Sequence, residues 1–173
     1  MHYAKILLPL LAVIVFVFCK KDDYYWGTVT CQKNGVPWPG HIRATISTIS
    51  DYKINIVMNT LDEEGNELET LVFFKVPMLK GKYSLSYTIN QPPDDSLIGC
   101  DYANGYLDQL YDSYLLAQQD SSSYLEITEY NDKKQEIKGR FNLIVWPDIK
   151  GSLNAPDSIV FANGEFHTKI IDR

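Results

Sequence analysis

Glu136-Ile137-Lys138-Gly139-Arg140-Phe141-Asn142-Leu143-Ile144-Val145-Trp146 alternates with a period of two. Ile137, Gly139, Phe141, Leu143 and Val145 fall on one face, and Lys138, Arg140 and Asn142 on the other. Side chains of a β-strand point to opposite faces in turn, so this segment reads as a strand with one face in a core. Its neighbours read likewise. Tyr124 to Tyr130 places Leu125 and Ile127 together, and Asn131 to Gln135 is a turn. Pro147 to Ser158 is a loop. Ile159 to Ala162 and Glu165 to Ile171 then flank an Asn163-Gly164 turn.

The first half follows the same rule. Trp26 to Gln32 alternates and is rich in Thr and Val. Asn34-Gly35 supplies the residues that a two-residue hairpin needs, because both central positions take φ > 0. Val36-Pro37-Trp38-Pro39-Gly40 is expected to break the pattern, since proline lacks an N–H for a central ladder; Trp38 would sit at an edge or on a lid. His41 to Ser50, Tyr52 to Thr60, Glu67 to Val76 and Tyr83 to Ile89 then predict an antiparallel meander with short loops. Gln91 to Gly99 is a proline-bearing loop. The middle is ambiguous. Leu107, Leu110, Tyr111, Tyr114 and Leu115 match helical spacing with Asn104 as N-cap, while the region from about Ser113 also reads as a strand. Any helix is held to Gly105–Asp112. The expectation is an all-β domain over residues 26–173, with nine to ten strands and at most one short helix. Both a β-sandwich and a lipocalin-like barrel alternate in this way.

The chain begins differently. Ile6 to Phe18 is an apolar run of 13 residues behind Lys5, followed by Cys19-Lys20-Lys21-Asp22-Asp23. The run is within the range of a secretory signal and well short of the roughly 20 apolar residues that span a bilayer. An apolar run ending at a cysteine is what lipoprotein processing requires, the Cys19 thiol accepting the lipid. The expected organisation is a signal peptide over 1–18, lipidated Cys19 with a tether to Tyr25, and one β domain. Cys19-Lys20-Lys21-Asp22-Asp23 resembles the start of Bacteroidota lipoproteins, with bulky Phe18 departing from the usual small residue before the cysteine. That resemblance implies an outer-membrane lipoprotein exposed at the cell surface. A second likeness runs along the domain. Asn34-Gly35-Val36-Pro37-Trp38, Ile127-Thr128-Glu129-Tyr130, Gly139-Arg140-Phe141 and Asn163-Gly164-Glu165-Phe166 are similar to motifs of small β-rich Bacteroidota lipoproteins of uncharacterised function. It implies fold and location and adds no chemistry.

Removing residues 1–18 takes one lysine and no acid from a formal charge of −6, leaving −7. Such a chain offers no Lys/Arg cluster to neutralise a row of phosphates, which argues against nucleic acid. Membrane attachment would rest on the lipid alone. Cys31 and Cys100 are candidates for a disulfide in an oxidising compartment, although pairing cannot be read from spacing. His41 and His167 stand alone on separate strands, which predicts no metal site, and no cofactor motif occurs. Asp62, Glu63, Glu64, Glu67 and Glu69 cluster near a hairpin tip, where solvation rather than paired-acid catalysis is the expectation. Tyrosine is the enriched type: Tyr102, Tyr106, Tyr111, Tyr114, Tyr124 and Tyr130 lie within 29 residues. Tyrosine joins an apolar face to a polar tip, so Trp38, Tyr102, Tyr106, Tyr111 and Tyr114 form the candidate ligand surface. The leading expectation is a non-catalytic, lipid-anchored lipoprotein binding a glycan or a protein. A carboxylate-dependent hydrolase and an inhibitor or immunity-type lipoprotein are the alternatives.

Overall fold

A computed structural model describes residues 24–48, 52–86, 97–116 and 122–171. The expected signal peptide, Cys19 and the expected tether up to Asp23 lie outside the described residues. Those described form ten strands and no helix. They are β1 (Gly27–Lys33), β2 (Val36–Ile46), β3 (Lys53–Leu61), β4 (Glu67–Pro77), β5 (Gly81–Ser86), β6 (Ile98–Tyr106), β7 (Gln109–Leu116), β8 (Tyr124–Asn131), β9 (Glu136–Lys150) and β10 (Ile159–Ile171).

The pairings close the sheet on itself. A circuit runs β1, β2, β3, β4, β6, β7, β9, β10 and back to β1, antiparallel at every step. β5 and β8 bridge β6 to β9 beyond the reach of β7, joined to β6 by a short parallel pairing. Closure decides between sandwich and barrel in favour of a barrel, and it satisfies the strand edges that an open sheet would leave unpaired. Inward residues fill it. Ile42, Ile54, Ile56, Met58, Leu71, Phe73, Leu125, Phe141 and Phe161 are fully buried, and the Phe73 and Phe141 rings meet edge to face at 5.4 Å. The barrel is packed with side chains.

Five local expectations need correction: Pro147–Lys150, expected as loop, extends β9 and pairs with β7, and four more follow. First, Val36 to Gly40 is strand, not a break. Trp38 pairs with Cys31, whereas Pro37 and Pro39 fall opposite Gln32 and Thr30, at the positions that exchange no bonds with β1. β3 begins pairing only at His41, so the missing N–H groups face an unpaired side. Second, Asn163-Gly164 does not turn the chain. Asn163 alone takes positive φ, at 54°, and the register to β9 slips between Phe161 and Gly164, so β10 continues through a bulge. At Asn34-Gly35 both residues are positive, 51° and 79°, and the hairpin forms as expected. Third, the meander ends at β4. Lys75 takes φ 58° at a bulge against β3, β5 departs, and β6 occupies the free edge of β4. Fourth, Gly105–Asp112 holds no helix: β6 and β7 form a hairpin turning at Leu107 and Asp108. The strand expected from Ser113 is present and starts at Gln109.

Two Gly-x-Phe motifs interlock on β9 and β10. Gly139 pairs with Phe166 and Gly164 with Phe141. A Cβ built at Gly139 would stand 2.4 Å from the Phe166 ring and 2.5 Å from the Glu126 carbonyl; one at Gly164 would stand 2.5 Å from the Phe141 ring. Each glycine makes the space its partner's ring occupies.

Candidate functional site

The five aromatics expected to form one ligand surface do not do so. Trp38, Tyr102 and Tyr114 are buried, on the inward side of their strands. Tyr102 packs on Tyr114 at 5.7 Å and on Phe161 at 5.3 Å, and Trp38 meets Phe161 edge-on at 5.5 Å. Only Tyr106 and Tyr111 are exposed, on the β6–β7 hairpin. The polar tips explain why aromatics of this type are tolerated inside. Trp38 Nε1 donates to Glu69, which also pairs with Lys33, and Lys33 Nζ donates to the Tyr102 hydroxyl at 3.1 Å. Tyr114 donates to the Pro156 carbonyl at 3.3 Å. Burial, and then the neighbouring Glu69 charge, holds the Tyr102 hydroxyl far above its usual titration range. This cluster satisfies its own polar atoms and seals one end of the barrel.

The other expected sites resolve as structure. Cys31 and Cys100 are free, buried thiols, so the disulfide is not formed. Burial pushes Cys31 up to about 12, with Lys33 offsetting part of the effect, and burial likewise holds Cys100 well above the ordinary thiol range. Thiols held protonated in this way are weak nucleophiles. His41 lies against the Tyr25 ring at 5.4 Å, while His167 meets Glu136 at 3.2 Å and Trp26 at 5.2 Å. Among the described residues no group of three His, Cys, Asp or Glu could hold a metal. The acidic cluster is dispersed. Asp62 caps its own turn through Asn66, Glu67 accepts from Arg43 and Tyr25, and Glu69 enters the barrel-end cluster.

A site that the sequence did not announce lies on the outer wall where β10 bulges. A groove of about 330 Å³ is lined by Thr30, Tyr124, Arg140, Asn142, Asn163 and Glu165, with Phe141 and Gly164 below. The bulge re-aims the chain so that the Asn163 N–H donates to Asn142 Oδ1 at 2.8 Å. Asn142 Nδ2 in turn donates to the Tyr124 hydroxyl at 2.9 Å. By accepting there, Tyr124 keeps its own O–H as a donor. Arg140 and Glu165 stand opposite each other at 3.7 Å, both exposed. The result is a shallow row of fixed donors and acceptors beside an aromatic ring whose other contact is Lys82, 3.9 Å over it. Nothing in a period-two pattern marks this place. The one available signal was the second Asn-Gly, read as a turn.

The N-terminal segment docks on the outer surface of β10 and β2. Arg43 lies over Tyr24 at 4.5 Å and donates to the Tyr25 hydroxyl at 3.1 Å, and Tyr25 donates to Glu67 at 2.9 Å. Burial and the Glu67 hydrogen bond raise Tyr25 to about 12. Trp26 lies under Lys169 at 4.3 Å, and its carbonyl accepts from Thr168 Oγ1 at 2.7 Å. His41 and Arg43 are on β2, Glu67 on β4 and Lys169 on β10, so the segment runs from β10 over β2 towards Glu67. Trp26 meets His167, two residues along β10 from the groove residue Glu165. Among the described residues no helix is long and apolar enough to cross a membrane. Comparison with protein-family models, curated proteins and solved structures returned no match.

Proposed function

We propose that the chain is a lipid-anchored binding protein of the outer-membrane surface, without catalytic activity, that presents the β8–β9–β10 groove to a glycan. The observation carrying this reading is the polar chain Asn163–Asn142–Tyr124 set at the bulge beside Arg140 and Glu165. Sugar hydroxyls both donate and accept, and a groove offering guanidinium, carboxylate, amide and phenol groups in fixed positions meets both needs. The address is supported by the sequence at Ile6–Cys19 and by the Lys-Lys-Asp-Asp tether.

Two measurements test the two halves separately. Mass spectrometry of the protein from membranes should find a diacylglycerol-bearing Cys19 at the new N-terminus; an unmodified Cys19 overturns the anchor. Glycan-array binding of residues 20–173 should be lost in a Tyr124→Ala/Asn142→Ala variant that keeps its melting temperature within a few degrees. Equal array binding by both forms overturns the groove as the glycan site.

A further inference from the structure

We propose that the β6–β7 hairpin, with the β9 end beside it, is a second membrane contact that rests on the lipid bilayer surface when the chain is anchored through Cys19. The inference depends on the lipid-anchor reading given above. Leu107 is its centre. It sits at the hairpin turn with φ 53° and is 69% exposed. A two-residue hairpin favours Asn or Gly at such a position, and a leucine there gains neither conformational ease nor burial. Leu110, 52% exposed, and the exposed rings of Tyr106 and Tyr111 flank it. Leu153 is fully exposed beside them, held there because Asp112 accepts from the Gly151 and Ser152 N–H groups and Gly151 N donates to the Tyr111 carbonyl. Leucines with tyrosines at their margin match the chemistry of the bilayer interface, where aromatic rings sit at headgroup level.

The tether supplies the reach. The Tyr25 hydroxyl binds Glu67, and Glu67 lines the same shallow groove as Leu107 and Leu110. From Tyr24 back to Cys19 is five residue steps, which extend at most about 18 Å. A lipid on Cys19 therefore holds this side of the barrel close to the bilayer. The acidic Asp62-Glu63-Glu64 turn belongs to the neighbouring β3–β4 hairpin, so an uncharged zwitterionic surface is the better fit.

The test couples the Cys19 thiol of residues 19–173 to a maleimide lipid in phosphatidylcholine vesicles, with the same chain coupled to soluble maleimide-polyethylene glycol as reference and a Cys19→Ser chain as uncoupled control. Hydrogen exchange is followed by mass spectrometry. Amides of residues 105–111 and 151–154 should exchange at least about fivefold more slowly on vesicles, while the 131–136 turn is unchanged. A Leu107→Asp/Leu110→Asp variant with an unaltered melting temperature should lose the slowing. Equal exchange on vesicles and polymer, slowing that survives in the variant, or concentration-dependent slowing of the polymer form, which would indicate pairing of two copies, each overturns the proposal. Because the lipid is supplied chemically, failure here leaves lipidation of Cys19 untouched, and failure of the mass-spectrometric assay leaves this result untouched.

Discussion

Gly139 and Gly164 carry more of the fold than their size suggests. Each lies under the phenylalanine of the other's motif, so adding a methyl group to either meets a ring or a backbone carbonyl well inside contact distance. Overpacking of this kind costs about 1–3 kcal/mol. Gly139→Ala should lower the unfolding free energy by that amount, seen as a lower urea midpoint at unchanged slope. A Gly139→Ala/Phe166→Leu double variant should show a coupling energy rather than additive loss, because the smaller partner yields space. Equal and additive losses would contradict the interlock. Residues of this kind were legible as a pattern: Gly-x-Phe on an alternating strand reads as a small residue beside a core aromatic. Their mutual pairing was not, because it depends on the register between β9 and β10. Asn163 shows the same limit. Its dipeptide is identical to Asn34-Gly35, and only the partner strand decides whether the chain reverses or bulges.

At the scale of the element, the β6–β7 hairpin concentrates opposed carboxylates. Burial raises Asp101 on β6 to about 6. Burial also acts to raise Asp112 on β7, but hydrogen bonds from Ser152, Asn104 and Gly151 outweigh it and hold the carboxyl below its usual range. The two contribute to stability with opposite sign. Between about pH 4 and pH 6 the folded chain binds more protons at Asp101 than the unfolded chain does, so this group makes stability fall as pH rises. Asp112 contributes stability that is present above about pH 4 and is lost as pH falls through its lowered folded value. Denaturation profiles should show Asp101→Asn removing the decline across pH 4–6, and Asp112→Asn removing the loss below pH 4 while destabilising the protein at neutral pH. If either variant leaves its window unchanged, the assignment is wrong. The hairpin was also where sequence reasoning diverged most. Leu107, Leu110, Tyr111, Tyr114 and Leu115 do fall at helical spacing, yet Tyr114 faces the core and Leu107, Leu110 and Tyr111 face solvent. Helical spacing came from mixing two faces of a hairpin.

For the whole molecule, strand number and the all-β class followed from alternation, and closure did not. Period two records which residues face inward and says nothing about which strand completes the circuit. The same gap explains the misplaced ligand surface: Trp38, Tyr102 and Tyr114 were chosen for their chemistry, and burial in a closed barrel removes them from use. The circuit is completed by β1 against β10, where Gly27 meets Thr168 and Lys33 meets Phe161. A chain ending at Ser158 lacks β10, and both β9 and β1 then lose a partner. Circular dichroism and hydrogen exchange of such a truncation should report loss of cooperative folding of the whole barrel; a two-state melt with intact protection on β2–β4 would contradict closure as the stabilising event.

That pairing of first strand with last also sets a timetable. A ribosome delivers β1 some 130 residues before the strand it must embrace, so during synthesis the nascent domain has nothing to close upon. Its cheapest traffic state is therefore an open, unlatched chain, and the latch falls only once the carboxyl end has come through.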